Sequence, residues 1–274
     1  MTRTIGELAQ RGAQALEAGD TLAALGLYWR LVDVAPRDVV WRLKLADVLA
    51  HRGDAEEAAQ VYAATARLAV EGGHPLAAIF IGKILQEAGQ DAAPLYEALS
   101  TLYGRDSERI SGYGERRAPL DPETPVTPPD LGALTPEQLV AGAARAAAHL
   151  DEGDNGLRSL HPIPLLSDLA GETFRQVLNA LAAHRLLDGT RVIRQGEMGA
   201  SFFLIARGAV RVFRTDDQGQ ETVLAELHEG ALFGEMALLH ASPRIASVEV
   251  RGEADLLEVP RDALTALATE RQPV

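Results

Sequence analysis

The stretch GTRVIRQGEMGASFFLIARGAVRVFRT (residues 189–215) carries the clearest structural signal in the chain. Its apolar residues come in short runs that alternate with polar ones, which is the period of a β-strand with one buried face. Glycines separate the runs, as expected where turns require a positive φ. The pattern predicts a domain of short strands in this part of the chain.

The same pattern continues to residue 260. AspAspGlnGly at 216–219 is expected to join two strands as a hairpin, and many short strands at this spacing favour a β-sandwich or jelly roll. We expect a helix over 171–185 before the strands and a short helix over 261–268 after them. The predicted strands are TRVIRQG, SFFLIARG, AVRVFRT, ETVLAELHEG, IASVEVRG and ADLLEVPR. The predicted turn glycines are Gly196, Gly199, Gly208, Gly219, Gly230 and Gly252.

Residues 1–104 contain an internal repeat. Gly19-Asp20 recurs as Gly53-Asp54, and Tyr28 as Tyr62, each pair 34 residues apart. This period resembles the tetratricopeptide repeat, a pair of antiparallel helices that stacks on its neighbours. Stacked pairs leave a groove that commonly holds a peptide or helix, so we expect a protein partner there. Helix breaks are expected near Gly19, Arg37, Gly53, Gly73 and Gly89, which gives about six helices.

The two parts are joined by a segment of different composition. Residues 105–134 are rich in proline and lack an apolar period, so we expect an extended linker. Helix resumes at Thr135, where Thr135 and Gln138 form a capping box and Pro136 takes the first helical position. We expect a connecting helix over 135–164.

Charge and composition exclude several classes of protein. The chain of 274 residues has a net charge of −13, which argues against nucleic acid or an anionic membrane as the main partner. No run approaches the roughly 18 apolar residues of a membrane span. The N-terminus lacks the apolar core of a signal peptide, so a cytoplasmic protein is expected. The absence of cysteine excludes disulfides and thiolate metal sites.

A metal-dependent cupin is the main enzyme hypothesis for such a β-domain, because many cupins are jelly-roll enzymes. It requires closely spaced histidines plus a carboxylate. His228 and His240 are twelve residues apart, and His161 and His184 precede the strands. No Ser/His/Asp grouping or phosphate-loop motif stands out either. We therefore expect no enzymatic activity, no metal and no cofactor.

The segment FGEMALLHASPRIASV (residues 233–248) holds the candidate binding residues. Gly234 allows a close approach of the backbone, and Glu235 begins a turn whose N–H groups can face an anion. Arg244 offers a two-pronged fork that matches a phosphate, and the Glu235 carboxylate can accept from sugar hydroxyls. The pair therefore indicates a nucleotide. A Glu–Arg surface salt bridge is the alternative interpretation.

The segment closely resembles the phosphate-binding cassette of cyclic nucleotide-binding domains, with Phe-Gly-Glu, Ala-Leu and Pro-Arg in order. The resemblance extends over roughly residues 165–270. It implies that Glu235 accepts from the ribose 2′-hydroxyl and that Arg244 pairs with the exocyclic phosphate oxygens. It also implies that backbone N–H groups of Met236, Ala237 and Ala246 complete the phosphate site, and that Ala225 and Leu227 face the base.

Three departures from the family pattern bear on ligand and mechanism. Ile245 stands where many cGMP-selective members have threonine, which favours cAMP over cGMP. Ala200 stands where regulatory subunits of similar kinases have an aspartate that contacts the arginine. The sequence given stops at Val274, where family members continue into a helix that covers the base. Either this lid comes from elsewhere or the native protein is longer.

The sequence thus predicts a two-domain α+β protein. We expect helical repeats over 1–104, a linker over 105–134, a connecting helix over 135–164 and a cyclic nucleotide-binding jelly roll over 165–274. The predicted function is that of a sensor and adaptor for cAMP, with cGMP as the second ligand. The alternatives are a scaffold that binds no nucleotide and a sensor of another cyclic nucleotide or dinucleotide. A homo-oligomer stays open.

Overall fold

The computed structural model describes residues 3–129, 134–150, 157–236 and 242–263. The helices are α1 (Ile5–Glu17), α2 (Thr21–Val34), α3 (Val39–Arg52), α4 (Ala55–Glu71), α5 (Pro75–Glu87), α6 (Ala93–Tyr103), α7 (Pro136–Ala148) and α8 (Gly171–Ala180). The strands are β1 (Arg3–Thr4), β2 (Ile110–Glu115), β3 (Pro125–Val126), β4 (Ala182–Leu187), β5 (Arg191–Ile193), β6 (Ser201–Thr215), β7 (Glu221–His228), β8 (Leu232–Phe233) and β9 (Ser247–Pro260).

Packing divides the chain differently from the four predicted ranges. One compact unit, here called the N-terminal unit, consists of Met1–His74, Leu85–Asp91 and Glu115–Arg158. The other, the C-terminal unit, consists of Pro75–Ile84, Ala92–Gly114 and Ser159–Val274. The chain therefore leaves the N-terminal unit and returns to it twice before strand β4 begins.

The helices of the N-terminal unit form where the sequence predicts them. Helices α1 to α4 pack in chain order, each on the next, and α7 packs against α2, α3 and α4. Gly12 lies under the ring of Tyr28, where a Cβ would come within 2.9 Å of Cζ. The six helices and their breaks over residues 1–104 are confirmed. Their identity as tetratricopeptide repeats stays a prediction.

The proline-rich segment is extended, but part of it is packed. Its strand β3 pairs antiparallel with β1, so that Arg3 faces Val126, and Val126 is buried. Farther along, Thr135 Oγ1 accepts from the N–H of Gln138, and Thr135 N–H donates to Gln138 Oε1, which is the predicted capping box. The helix that follows ends at Ala148 and does not extend to residue 164.

Two cations make polar contacts between helices in the C-terminal unit. Lys83 is buried, and its amine donates to the carbonyl of Asn179 at the end of α8 at 2.9 Å. Arg175 of α8 lies 2.6 Å from Glu97 of α6. These contacts tie α5 and α6 to the helix that precedes the strands. The sequence predicted that α5 and α6 belong with the helical repeats.

The strands of the C-terminal unit form an antiparallel sheet in the order β4-β9-β6-β7, with β5 paired to β9 and β8 paired to β6. The hairpin at 216–219 joins β6 and β7 as predicted. The mixed helix-and-sheet architecture is therefore confirmed. One hydrophobic cluster of this sheet consists of Ile193, Phe203, Ile205, Val210, Phe233, Val248, Val250, Ala254 and Leu256.

Two predictions about local structure were wrong. The helix expected over 171–185 ends at Ala180, because residues 182–187 pair with β9 instead. In the strand, His184 lies 2.8 Å from Glu258 and Arg185 lies 2.8 Å from Asp255. The short runs predicted as separate strands merge into the long strands β6 and β9, which bend without ending. At the bend, Gly208 has a φ of +88°, and a Cβ there would meet the backbone of β9.

Candidate functional site

The candidate site begins where β8 ends. Phe233 is buried, and its ring stacks on that of Phe203 with centroids 5.3 Å apart. Gly234 follows with a φ of +90°, and a Cβ there would lie 2.8 Å from both Arg244 Nη1 and Ile193 Cδ1. Glu235 and Met236 are helical, as predicted for the start of the turn. Ala237, the next predicted site residue, lies outside the described residues.

The main chain of Arg244 is fixed on both sides. Its N–H donates to the carbonyl of Glu197 at 2.8 Å, and its carbonyl accepts from the N–H of Gly196 at 2.8 Å. Pro243, just before it, forms an antiparallel bridge with Met198. The loop over residues 196–201 therefore sets the position from which the Arg244 side chain extends.

The side chain of Arg244 is buried rather than displayed on the surface. The residue is 8% exposed. Its Nη1 donates to the carbonyl of Gly234 in a short hydrogen bond, and its Nη2 donates to the carbonyl of Ser201 at 2.6 Å. These bonds compensate part of the cost of burying a cation. A surface salt bridge, the alternative interpretation, does not describe this geometry.

The electrostatics of the site join the two predicted charges. Burial lowers the pKa of the Arg244 guanidinium, and the negative charges of Glu235, Glu258 and Glu197 act in the opposite direction. Glu258 lies 2.8 Å from the imidazole of His184, and Glu197 lies 3.8 Å from the guanidinium of Arg194, so two of these carboxylates have other partners nearby. Glu235 is half-buried beside Gly234. The structure thus brings Glu235 and Arg244 into one site.

The residues after Arg244 lead into β9. Ile245 is 51% exposed, and its carbonyl accepts from Arg214 Nε at 3.0 Å. Ala246 is buried. The hydroxyl of Ser247, the first residue of β9, accepts from the N–H of Gln195 at 3.0 Å. The backbone on both sides of the Ile245–Ala246 peptide is therefore held by neighbouring elements.

The residues predicted to face the base lie on β7. Ala225 pairs with Val212 of β6, and Leu227 pairs with Val210. Residues two apart in a strand share a face, and Leu227 packs against the core cluster while Ala225 is exposed. The structure places both on the same strand, apart in sequence from the segments that hold Arg244.

Sequence reasoning missed two residues that hold Arg244. Gly199 was predicted as a turn glycine with positive φ, but a positive φ is absent there. Its role is space, since a Cβ would overlap Cζ and Nε of Arg244. Ser201 contacts Arg244 through its carbonyl, so its side chain did not indicate this role in the sequence. At Ala200, where the related aspartate is absent, the carbonyl accepts from the N–H of Arg261 at 2.9 Å.

Among the described residues, no group of three or more His, Asp or Glu side chains could hold a metal ion. Within that part of the chain, no helix is both long and apolar enough to cross a membrane.

Comparison with known proteins agrees with the location of this site. Residues 183–271 match the family model described as Cyclic nucleotide-binding domain. The cAMP-dependent protein kinase regulatory subunit of Blastocladiella emersonii is 36% identical over 108 residues, which are 39% of this chain and 27% of that subunit. The Cyclic AMP receptor protein of Thermus thermophilus is 38% identical over 104 residues, which are 38% of this chain and 48% of the receptor.

Solved structures are similar over a comparable share of the chain. The regulatory domain of Toxoplasma gondii PKA with cAMP is 30% identical, with a TM-score of 0.36, and the match covers 38% of this chain and 40% of that one. The Thermus thermophilus Catabolite Activator Protein is 38% identical, with a TM-score of 0.36, covering 39% and 50%. At these TM-scores the likeness supports no conclusion about the fold of the whole chain.

Strands β5 to β9 and their cassette therefore lie within residues 183–271, the part of the chain that matches the cyclic nucleotide-binding domain. Its relatives include cAMP receptors and regulatory subunits of cAMP-dependent kinases. The chain spans less than half the length of either curated relative described above.

Proposed function

We propose that this protein is a non-enzymatic cyclic-nucleotide sensor and adaptor that binds cAMP at Glu235 and Arg244. The observation that carries the proposal is the buried guanidinium of Arg244, which is held by carbonyl groups at the end of β8 and the start of β6. Among the described residues, the guanidinium donates to neutral carbonyls, and the negative charges of Glu235, Glu258 and Glu197 offset only part of the effect of burial, so a directly bonded negative charge is still to be supplied. A phosphate supplies that charge and accepts two parallel N–H bonds.

Phosphate recognition begins with Arg244 and extends to the main chain. The exocyclic oxygens of the cyclic phosphate accept from the guanidinium, and they also accept from the backbone N–H groups of Met236, Ala237 and Ala246. The helical conformation of Glu235 and Met236 supports this assignment, because the first N–H groups of a helix have no partner inside it.

Ribose recognition belongs to Glu235. The residue follows Gly234, and its carboxylate is close enough to Arg244 to raise the pKa of the guanidinium. A carboxylate in that position repels the phosphate but accepts from a hydroxyl, so the ligand is oriented with its ribose 2′-hydroxyl toward Glu235 and its phosphate toward Arg244. Gly234 allows the ligand to approach the backbone between them.

The base is recognised less specifically than the sugar and the phosphate. Ala225 and Leu227 of β7 contact the base, and Ile245 offers it an exposed apolar surface. Isoleucine has no hydroxyl that could accept from the 2-amino group of guanine, so cAMP is preferred over cGMP.

The output of the sensor is a protein partner held by the helical repeats of residues 1–104. Binding at Arg244 alters what those helices can hold only to the extent that the two states differ in affinity for the nucleotide. The stacking of α1 to α4 supports a repeat architecture of this kind. In this organisation, residues 105–134 link the repeats to the connecting segment of residues 135–164, whose helix α7 ends at Ala148, and to the binding domain of residues 165–274.

Calorimetric titration of cAMP and cGMP tests the proposal. The wild-type chain is compared with Arg244→Ala and with Arg251→Ala, a matched control in which an exposed arginine of β9 is removed. Loss of charge-assisted hydrogen bonds of about 1.5–3 kcal/mol each weakens binding at least about tenfold in Arg244→Ala. Arg251→Ala binds as the wild type does.

Absence of binding in the wild-type chain would contradict the proposal. If the folded wild-type chain binds neither nucleotide at millimolar concentration, it is not a sensor of cAMP or cGMP. Titration of cyclic dinucleotides then decides between a different cyclic nucleotide and a scaffold without a ligand.

A further inference from the structure

We propose that Arg214 is a positioning residue of the nucleotide site, acting through the peptide group between Ile245 and Ala246. The inference rests on the proposed function, in which the N–H of Ala246 donates to the phosphate. Arg214 lies on β6, is exposed, and is outside the cassette of residues 233–248.

The geometry connects Arg214 to one particular peptide group. Arg214 Nε donates to the carbonyl of Ile245 at 3.0 Å. The peptide is trans, as are all those in the described residues, so its N–H points opposite to its carbonyl. Arg214 on the carbonyl side therefore directs the N–H of Ala246 to the other side of the peptide plane.

This peptide is the adjustable part of the segment. On one side, the main chain of Arg244 is fixed by Gly196 and Glu197. On the other side, Ser247 begins β9 and accepts from Gln195. Rotation of the Ile245–Ala246 peptide plane between these two anchors would turn the Ala246 N–H away from its direction, and the bond from Arg214 opposes that rotation.

The strand that carries Arg214 is held to the same loop. Thr215 N–H donates to Gln195 Oε1 at 2.9 Å, and Gln195 Nε2 donates to the carbonyl of Thr215 at 3.2 Å. Gln195 thus links the end of β6 to Ser247. Arg214 is therefore presented to Ile245 from a fixed position, despite the exposure of its side chain.

Arg214 also changes the strength of the donor. A hydrogen bond to a carbonyl polarises the amide and makes its N–H a better donor, and a cation on the carbonyl side adds to this polarisation. For the fold alone, an exposed bond of this kind contributes little. The two roles therefore predict different results when Arg214 is removed.

The experiment uses the full chain with Arg214→Ala, and Arg251→Ala as the control. The ligands are cAMP and its two phosphorothioate diastereomers, each of which replaces one exocyclic oxygen by sulfur, a weak acceptor. We expect Arg214→Ala to bind cAMP about three- to tenfold more weakly than the wild type, with an unchanged unfolding midpoint. The loss shrinks for the diastereomer whose sulfur faces Ala246 and persists for the other.

Two results overturn the inference. An equal loss for all three ligands would mean that Arg214 only stiffens the domain, and wild-type affinity in Arg214→Ala would mean that it has no role. Arg244→Ala separates these results from a failure of the proposed function. If the wild type binds cAMP and Arg244→Ala does not, the proposed function holds whatever Arg214 does. If the wild type binds no nucleotide, both fail.

Discussion

Gly199 lies against the guanidinium of Arg244, so closely that a Cβ at position 199 would overlap Cζ, Nε and Nη2 of the arginine. Gly199 does not have the positive φ that would by itself require glycine. The requirement comes from the arginine. A cation that is 8% exposed needs room for its planar group, and the absent side chain at 199 provides it.

Gly199→Ala is therefore expected to displace Arg244. The methyl group forces the guanidinium away from the carbonyls of Gly234 and Ser201, a steric cost of about 1–3 kcal/mol in stability. Affinity for cAMP falls about tenfold, because the phosphate loses an oriented partner. Calorimetry and urea denaturation measure the two effects.

Gly112→Ala is the matched control for Gly199→Ala. Gly112 has nothing within 4 Å of an added Cβ and lacks a positive φ, so its replacement leaves affinity and stability close to those of the wild type. Unchanged cAMP affinity in Gly199→Ala would contradict the role of Arg244 in binding.

The buried amine of Lys83 predicts a second effect, on stability alone. Lys83 is 6% exposed, donates to the carbonyl of Asn179 and lies 5.7 Å from the centroid of the Tyr96 ring. Lys83→Met keeps most of the apolar stem but leaves the carbonyl without this donor, which costs about 1–3 kcal/mol. Hydrogen exchange of the β6 amides measures this loss of stability. Tryptophan fluorescence would not, because Trp29 and Trp41 both lie in the N-terminal unit.

Arg175→Met is the comparison for Lys83→Met. Arg175 of α8 pairs with Glu97 of α6 and with Glu172 of its own helix, and both carboxylates are exposed. Solvent screens such pairs, so the substitution should have a much smaller effect on exchange. Equal losses in the two variants would mean that burial of the Lys83 amine adds nothing.

Lys83 also shows which parts of the fold could be predicted from the sequence and which could not. The helix breaks over residues 1–104 were predictable because glycines mark all of them except the one near Arg37, and Glu235 and Arg244 were predictable because charges are rare in an apolar run. The packing of α5 and α6 with α8 was not predictable, since periodicity reports only which face of a helix is apolar. A single lysine in HPLAAIFIGKIL was the one sign of a distant polar partner.

The environment of Arg244 was beyond the sequence for a related reason. Its hydrogen bonds go to main-chain carbonyls. Every residue has a carbonyl, so the residue type does not indicate which one accepts. The strand β4 was mistaken for helix because alanine and leucine have high helix propensity. Pairing with β9, together with the Arg185–Asp255 contact across it, outweighs that local preference.

Acid sensitivity is expected from Glu249. A hydrogen bond from Arg191, followed by the interaction with Arg211, lowers the pKa of Glu249 below its ordinary value of 4.5. A carboxylate with a lowered folded-state pKa contributes stability that is fully present above the unfolded-state pKa and is lost as pH falls through the folded one. Stability should therefore fall below about pH 4.5.

Glu249→Gln tests this origin of the acid sensitivity. The variant is less stable than the wild type at neutral pH, but it loses less on acidification, since it has no carboxylate to protonate at this position. Glu226→Gln, an exposed position on β7, serves as the control and should keep the wild-type pH dependence. Urea midpoints at about pH 6 and pH 3.5 provide the measurement. Identical acid losses in Glu249→Gln and the wild type would exclude Glu249 as a contributor.

Ile245→Thr is expected to change the base preference while the fold stays intact. Ile245 is 51% exposed, so the loss of its apolar atoms costs the core little. Its main-chain carbonyl still accepts from Arg214, so the peptide to Ala246 keeps its orientation. The new hydroxyl can accept from the 2-amino group of guanine, and one added neutral hydrogen bond raises cGMP affinity about two- to tenfold.

The same substitution should leave cAMP affinity nearly unchanged, because adenine has no 2-amino group. Ile245→Val is the control, since it keeps a branched side chain at the position without adding a hydroxyl. Competition of cGMP against bound cAMP measures the ratio of affinities in the three proteins. A ratio that shifts equally in Ile245→Val and Ile245→Thr would indicate a steric effect, and an unchanged ratio would place the base away from residue 245.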